Sequence, residues 1–446
     1  MSEGGNANMQ LIKILSIFIF FMLFHSVAFA KNVTFTKEYI YRASDIDSKL
    51  SSRAIALEQA KKLLLEELGI YVISETEVSN SRLTRDHIQS FSAGLVKSSI
   101  IDEKWDGKTY YIKASITADP ESVVSDINKL LDNKALRAEL EKQINKTDAA
   151  LKTIERMKTE LATTQATPQL QERYNQEVRK LTAQEWFNTG YLLHTSHDYQ
   201  GTVDALSESI KLNRNNPEAY LGRASAYWKM RSYQQAILDY NSAIDLDQNL
   251  WLAYLGRGAV YSDLGNYEQA IADFTAAIRL NPKSAATYFH RGIAYVSFGN
   301  IHLAILDFGL AIELSPLNAE AYNKRGIAHA SLANYKKAIE DYDKAIELNP
   351  TYAEAYNNRG FAYLEQNQLK KAKNNIDKAL DLSPNDPMAH SSMSEYYALI
   401  NNSAEACTWL SKAIELGYND WNYIKTSKTL NNIRTAPCYK KLITKE

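Results

Sequence analysis

Residues 251–284 read WLAYLGRGAVYSDLGNYEQAIADFTAAIRLNPKS, and residues 285–318 read AATYFHRGIAYVSFGNIHLAILDFGLAIELSPLN. Placed one beneath the other they agree at Tyr254 and Tyr288, Gly258 and Gly292, Ala270 and Ala304, Ala277 and Ala311, and Pro282 and Pro316, each pair 34 residues apart. The columns continue outward in both directions without an insertion. Trp186, Tyr220, Tyr322, Tyr356 and His390 extend the aromatic column, and Gly190, Ala224, Gly326, Gly360 and Ser394 extend the small one. Ala236, Ala338, Ala372 and Ala406 extend the third, and Ala243, Ala345, Ala379 and Ala413 the fourth. A fixed period of this length marks a stack of repeated supersecondary units. Seven units begin near residues 183, 217, 251, 285, 319, 353 and 387. Pro282, Pro316, Pro350 and Pro384 close their units, where a chain must leave a helix and turn.

These columns resemble the tetratricopeptide-repeat family over residues 183–420. The resemblance implies a mainly α fold, a TPR α-solenoid in which antiparallel helix pairs wind into a right-handed superhelix. It places the small residues where paired helices approach closely, with the aromatic column filling the groove beside them. A single unit cannot bury its own apolar face, so the array needs caps. Residues 166–182, with Leu170, Tyr174, Val178 and Leu181, are expected to cap the start, after an N-cap at Thr167-Pro168. Residues 421–446, with Trp421, Ile424, Leu430, Ile433, Tyr439 and Leu442, are expected to cap the end. One column departs from the family, with Arg223, Arg257, Arg291, Arg325 and Arg359 standing where it has Leu. Two readings are open: guanidinium groups bridging acidic residues of neighbouring helices, or a basic stripe for an acidic ligand.

In the family the first helix of each unit lines the concave surface. Carried onto this register, the candidate ligand-binding groove consists of Phe187, Asn188 and Tyr191, then Trp228 and Lys229, then Phe289 and His290. Asn323 and Lys324, then Asn357, Asn358 and Phe361, and finally Leu399 complete it. Rings and aliphatics would bury against an extended peptide or amphipathic helix, and amides would hydrogen-bond its main chain. The alternative is that these rings pack only between neighbouring units.

The chain before the repeats has three parts. In residues 1–30, Lys13, the apolar run Ile14 to Phe24 and the exit Ala28-Phe29-Ala30 have the layout of a secretory signal, with Met9 the more typical start. The run is shorter than the roughly 20 apolar residues of a spanning helix, so no integral membrane span is expected after signal removal. The expected location is the periplasm of a Gram-negative cell, or secretion otherwise.

Residues 31–120 alternate strand and helix periods and predict a small α/β domain. The expectation is a strand over 33–41, a helix over 50–68 stopped by Gly69, a strand over 70–78 and a helix from Thr84 burying Ile88, Phe91 and Leu95. A hairpin turning on Asp106-Gly107 follows. The stretch from Ser52-Arg53-Ala54 to Gly69-Ile70-Tyr71-Val72 resembles the N-terminal α/β domain of flagellar assembly proteins and bacterial surface lipoproteins. That resemblance implies a bacterial envelope protein with a small binding module. Residues 121–165 predict a long helix on which Leu140, Ile144, Thr147, Leu151, Ile154, Lys158 and Leu161 form a narrow stripe. It is either the coiled-coil seam of a homodimer through residues 121–161 or a spacer helix lying on its own repeats.

The charge balance, 51 Lys and Arg against 52 Asp and Glu, offers no basic field for nucleic acid. Cys407 and Cys438 are the only cysteines, either one disulfide or two buried small side chains. His194 and His197 lack a third metal ligand at defined spacing, and no phosphate loop, nucleophile elbow, HExxH or CxxC occurs. The expectation is a non-enzymatic, cofactor-free and metal-free exported scaffold or adaptor that binds a protein or peptide ligand in envelope assembly or secretion. The alternative is a permanent structural component of a large envelope machine, such as a flagellar or secretion apparatus.

Overall fold

The structure, a computed structural model, describes residues 32–75, 98–132, 134–163 and 167–444. The secretory-type segment over 1–30 and the helix expected from Thr84 lie outside the described residues, as do the side chains of Leu140, Ile144 and Thr147. The chain forms two compact units, residues 1–226 and 227–446.

In the first unit β1 (Val33–Arg42), β2 (Ser98–Trp105) and β3 (Thr109–Ala118) make an antiparallel sheet in the order β1-β3-β2. The hairpin turns at Asp106-Gly107: Gly107 has φ +94°, and one Asp106 carboxylate oxygen accepts from the backbone N–H groups of Lys108 at 2.8 Å and Thr109 at 2.6 Å. Helix α1 (Lys49–Glu75) lays Ala56, Ala60, Leu64, Leu68 and Val72 on Tyr110, Ile112, Ala114 and Ile116 of β3. This corrects two expectations, since Gly69 does not stop the helix and residues 70–75 are helical rather than a strand. The four-residue apolar step continues through Leu68 to Val72. Burying both outweighs the roughly 1 kcal/mol that a helical glycine costs.

Helix α2 (Pro120–Asp132) adds Val123 and Ile127 to the same core, which therefore runs past residue 120. Helix α3 (Lys134–Thr163) buries Ile154, Met157 and Leu161 against Tyr174, Val178 and Leu181 of α4 (Pro168–Thr195) and Ala54 of α1. This half of the stripe is occupied within the chain. Lys158, discordant in an apolar seam, has its reason here: its Nζ lies 2.7 Å from the fully buried Asp47 carboxylate. Tyr41 and Tyr174 donate to the same carboxylate at 3.0 and 2.5 Å. Burial alone would raise the Asp47 pKa, but bonds from Lys158, Tyr174 and Ser44 outweigh it and hold the group at about 2. Helix α4 begins at Pro168, with the Thr167 hydroxyl accepting from the Leu170 N–H, and runs unbroken into the first repeat.

The repeats follow as consecutive helix pairs. Helix α4 continues to α5 (Tyr199–Leu212), followed by α6 (Pro217–Lys229) and α7 (Tyr233–Leu246), α8 (Trp251–Asp263) and α9 (Tyr267–Leu280), then α10 (Ala285–Ser297) and α11 (Ile301–Leu314). The array continues with α12 (Ala319–Ser331) and α13 (Tyr335–Leu348), α14 (Ala353–Glu365) and α15 (Leu369–Leu382), and α16 (Pro387–Leu399) and α17 (Ser403–Glu415). The turn inside each pair holds one residue in the left-handed region, at His197, Arg231, Gly265, Gly299, Ala333, Asn367 and Asn401. That is another 34-residue column, and glycine fills it only twice.

The small column works differently from the expectation. A Cβ on Gly258, Gly292 or Gly326 would lie 2.6 to 2.8 Å from the ring of Phe274, Phe308 or Tyr342, sixteen residues onward in the partner helix. The ring that fills each close approach therefore comes from the second helix. The first-helix tyrosines do another job: the rings of Tyr254, Tyr288, Tyr322 and Tyr356 back the guanidinium groups of Arg257, Arg291, Arg325 and Arg359 at 5.4 to 5.7 Å.

Those arginines form a ladder. Nε and Nη2 of Arg257 donate to Asp273 at 2.8 and 2.7 Å, those of Arg291 to Asp307 at 2.7 and 2.8 Å, and those of Arg325 to Asp341 at 3.0 and 2.6 Å. Nη1 of Arg257 and Arg291 reaches back to Asn241 and Thr275 of the preceding pair. The three aspartates are buried. The guanidinium groups bridge neighbouring helices, as the first of the two readings has it, and are not a free basic stripe.

Candidate functional site

On the first helices of the array the expected groove residues divide into three groups. Some are consumed by packing. Phe289 is buried against Phe308, and His290 stacks on Phe274 with ring centroids 6.1 Å apart. Burial lowers the His290 pKa. Phe187 packs on Leu206 and Ile210, and Leu399 packs beside Leu364 and Met393.

A second group is consumed by hydrogen bonds between successive first helices. Asn323 is fully buried; its amide donates to Tyr352 at 3.2 Å and Glu354 at 3.1 Å, and its carbonyl accepts from Asn358 at 3.0 Å. Lys324 pairs with Glu354 at 3.2 Å. Asn357 is buried as well, but its side-chain oxygen has no hydrogen-bond partner among the described residues. For Asn323 and Asn358 the expectation that the amide meets a ligand's main chain is corrected: helices crossing this closely exclude water, so these polar groups pair with one another.

The third group stays accessible. Asn188 and Tyr191 are exposed in the first unit. In the second, the Trp228 indole N–H donates to Asp263 at 2.7 Å, with the Lys229 ammonium 4.6 Å from the ring centroid. Ile293, Ile327 and Phe361, at one station of three successive first helices, are half-buried.

The end of that face is already covered. Helix α18 (Trp421–Thr426) stands 34 residues after α16, in the place of an eighth first helix, and is followed by a 3-10 turn (Asn431–Ile433) and α19 (Pro437–Ile443). The Tyr423 ring lies 6.4 Å from that of Phe361, and its hydroxyl donates to Glu395 at 3.0 Å, as does the Thr429 hydroxyl. Burial pushes the Glu395 carboxyl up to about 7 against the two hydroxyl bonds. A disulfide between Cys407 and Cys438 ties α19 to α17. Sequence reasoning missed this use of Glu395. Its signal was a lone acid in a column that otherwise holds Tyr191, Ser225, Ala259, Ile293, Ile327 and Phe361.

Among the described residues no group of three or more His, Cys, Asp or Glu side chains could hold a metal, and no helix is long and apolar enough to cross a membrane. His194 contacts the Ser225 hydroxyl at 3.1 Å, while His197 occupies the left-handed turn position.

Paired helices repeated at this period define the helix-pair repeat scaffolds. Family models described as tetratricopeptide repeat match residues 217–250, 251–284 and 353–386, and a TPR-repeat model matches residues 331–367. These repeats are tetratricopeptide repeats, and the architecture is that of a protein-interaction scaffold, a fold typically without catalysis. Comparison with curated proteins found no match. Among solved structures, YrrB, described as a TPR protein with an unusual peptide-binding site, is 26% identical with a TM-score of 0.38, covering 42% of this chain and 96% of its own. MamA is 28% identical with a TM-score of 0.35, covering 36% and 94%. A tetratricopeptide repeat protein from Parabacteroides merdae is 19% identical with a TM-score of 0.46, covering 56% and 98%.

Proposed function

We propose that this chain is an exported adaptor that holds an extended segment of a partner protein along the first helices of residues 227–365. The observation carrying this reading is the half-buried column Ile293, Ile327 and Phe361, whose last member already receives the Tyr423 ring from the chain's own C-terminal segment. A face that accepts one aromatic side chain at Phe361 offers equivalent stations at Ile327 and Ile293, with Trp228 and Lys229 beyond them. Rings and aliphatics supply burial there, while Asp263 and Lys229 supply polar contacts. Export is supported by the layout of residues 13–30 and by the Cys407–Cys438 disulfide, a bond that persists in oxidising compartments.

A photo-crosslinking residue placed at Ile327 or Trp228 tests the ligand claim in the native envelope. Adducts to one partner should form there, and not from the same probe at Lys371 on the second-helix side; equal labelling at all three positions overturns the reading. Mass measurement of the recovered chain tests export, with a start at Lys31 expected and an intact residue 1–30 segment refuting cleavage.

A further inference from the structure

Helix α11 is unlike the other second helices of the array. Leu303, Leu306 and Leu310 are all exposed along one side of it, Leu306 at 63%, and Leu317 just beyond its end is exposed at 81%. At the Leu303 station the neighbouring units carry Gln269 and Lys337, at Leu310 they carry Ala276 and Lys344, and at Leu317 Lys283 and Thr351. A leucine row spaced three and four apart on a helix is a packing seam, and among the described residues nothing covers it.

We propose that this seam pairs with the same helix of a second copy, antiparallel about a two-fold axis. The charge pattern beside it selects that occupant. A two-fold axis crossing α11 near residue 308 sets Leu306 against the partner copy's Leu310, and brings Leu303 to the turn holding its residues 313 and 314, of which Leu314 is also exposed. The repeat places residue 342 of α13 beside residue 308, because the two are 34 residues apart. The same axis therefore sets Lys337 of α13 against Glu347 of the other copy, and Glu340 against Lys344. All four charges are at least partly exposed. The pattern Lys, Glu, Lys, Glu complements itself only when it runs antiparallel, the orientation in which the leucines also meet. On the other flank α9 presents exposed Ala272 and half-buried Ala276, small enough to let two copies approach. An apolar centre with a charged rim is the layout of a specific interface. An isologous contact of this kind closes as a dimer instead of growing into a fibre.

Sedimentation velocity of the full chain across a concentration series tests the proposal. The wild-type chain should dimerise, and Leu306→Glu should weaken that dimer by about 30-fold or more, the loss expected at a central contact. Glu340→Lys should weaken it by about tenfold, because Lys then faces Lys344 twice across the axis. Combining Glu340→Lys with Lys344→Glu should restore it, since each reversed charge again meets its opposite. Circular dichroism on each variant separates loss of pairing from loss of fold. A wild-type chain that stays monomeric overturns the proposal, as does a dimer that Leu306→Glu leaves intact, which would put the contact elsewhere. A monomer whose binding to lipid vesicles is lost with Leu306→Glu would assign the seam to a membrane and also overturn it. Failure of the charge swap to restore pairing rejects the antiparallel register.

Discussion

The Arg–Asp ladder makes a quantitative claim about what holds the helix pairs together, and the pair in the fourth unit is the place to test it. Asp307 is 4% exposed, and both its carboxylate oxygens are taken by Arg291 at 2.7 and 2.8 Å. Replacing Asp307 with Ala removes two charge-assisted hydrogen bonds and leaves a guanidinium in a site built for a carboxylate. Breaking one partner of a buried pair costs about 3–5 kcal/mol. The Arg291 side chain retains 15% exposure, so water can reach part of it, which puts the expected loss near the lower end, about 3 kcal/mol. Replacing both partners, Arg291→Met with Asp307→Leu, restores packing without stranding a charge and should cost about 1 kcal/mol or less. Urea denaturation of the wild type, Arg291→Met, Asp307→Leu and their combination closes the cycle, with Asp307→Ala measured beside it, and hydrogen exchange across α10 and α11 localises the change. A single-variant loss below about 1 kcal/mol, or a double variant as unstable as Asp307→Ala, would refute the reasoning.

Two further outcomes follow from the C-terminal segment. The Glu395 carboxyl is raised to about 7 by burial, whereas in the unfolded chain it titrates near 4.3, so the folded state binds the extra proton between those values. Stability from this group therefore falls as pH rises from about 4 to about 7, and Glu395→Gln should melt higher than wild type at pH 8 while matching it at pH 4, as thermal denaturation would record. Cys407 and Cys438 are 31 residues apart in sequence, and opening their disulfide should cost about 3 kcal/mol, read as earlier unfolding of α18 and α19 by hydrogen exchange under reducing conditions.

The repeats were legible because a solenoid writes each contact seven times. Gly190, Gly258, Gly292, Gly326 and Gly360 announced a close approach, but not what approaches. The column that answers it, Leu206, Tyr240, Phe274, Phe308, Tyr342, Ile376 and Leu410, has the same period but does not stand out in the sequence, because its residue type varies while its bulk does not. The N-terminal core has no repetition to help. There, β-branched Ile70, Val72 and Ile73 after Gly69 suggested a strand, and only the sheet's demand for Leu68 and Val72 on one face made them helical. Lys158 was similarly opaque: its partner, Asp47, lies more than a hundred residues away.

The candidate groove was half legible for a related reason. Family register says which helix faces inward, but whether a given side chain is free depends on its neighbours 29 to 35 residues away, and these vary from unit to unit. Asn323 meets Tyr352, Glu354 and Asn358, so its amide is spent. For its counterpart Asn357 the corresponding positions hold Asp386, Met388 and Ser392, a different set, and its buried side-chain oxygen has no hydrogen-bond partner among the described residues. The conserved backbone geometry of the pairs thus fixes where a ligand could lie, while the unrepeated residues decide which stations are open. On this chain those stations are Trp228, Ile293 and Ile327, because the C-terminal segment has filled the next ones, at Phe361 and Glu395, with its own Tyr423. A partner segment that runs along the face must therefore stop short of the last two units, or displace a tyrosine that is hydrogen-bonded to a buried carboxyl and lies in a segment held by a disulfide.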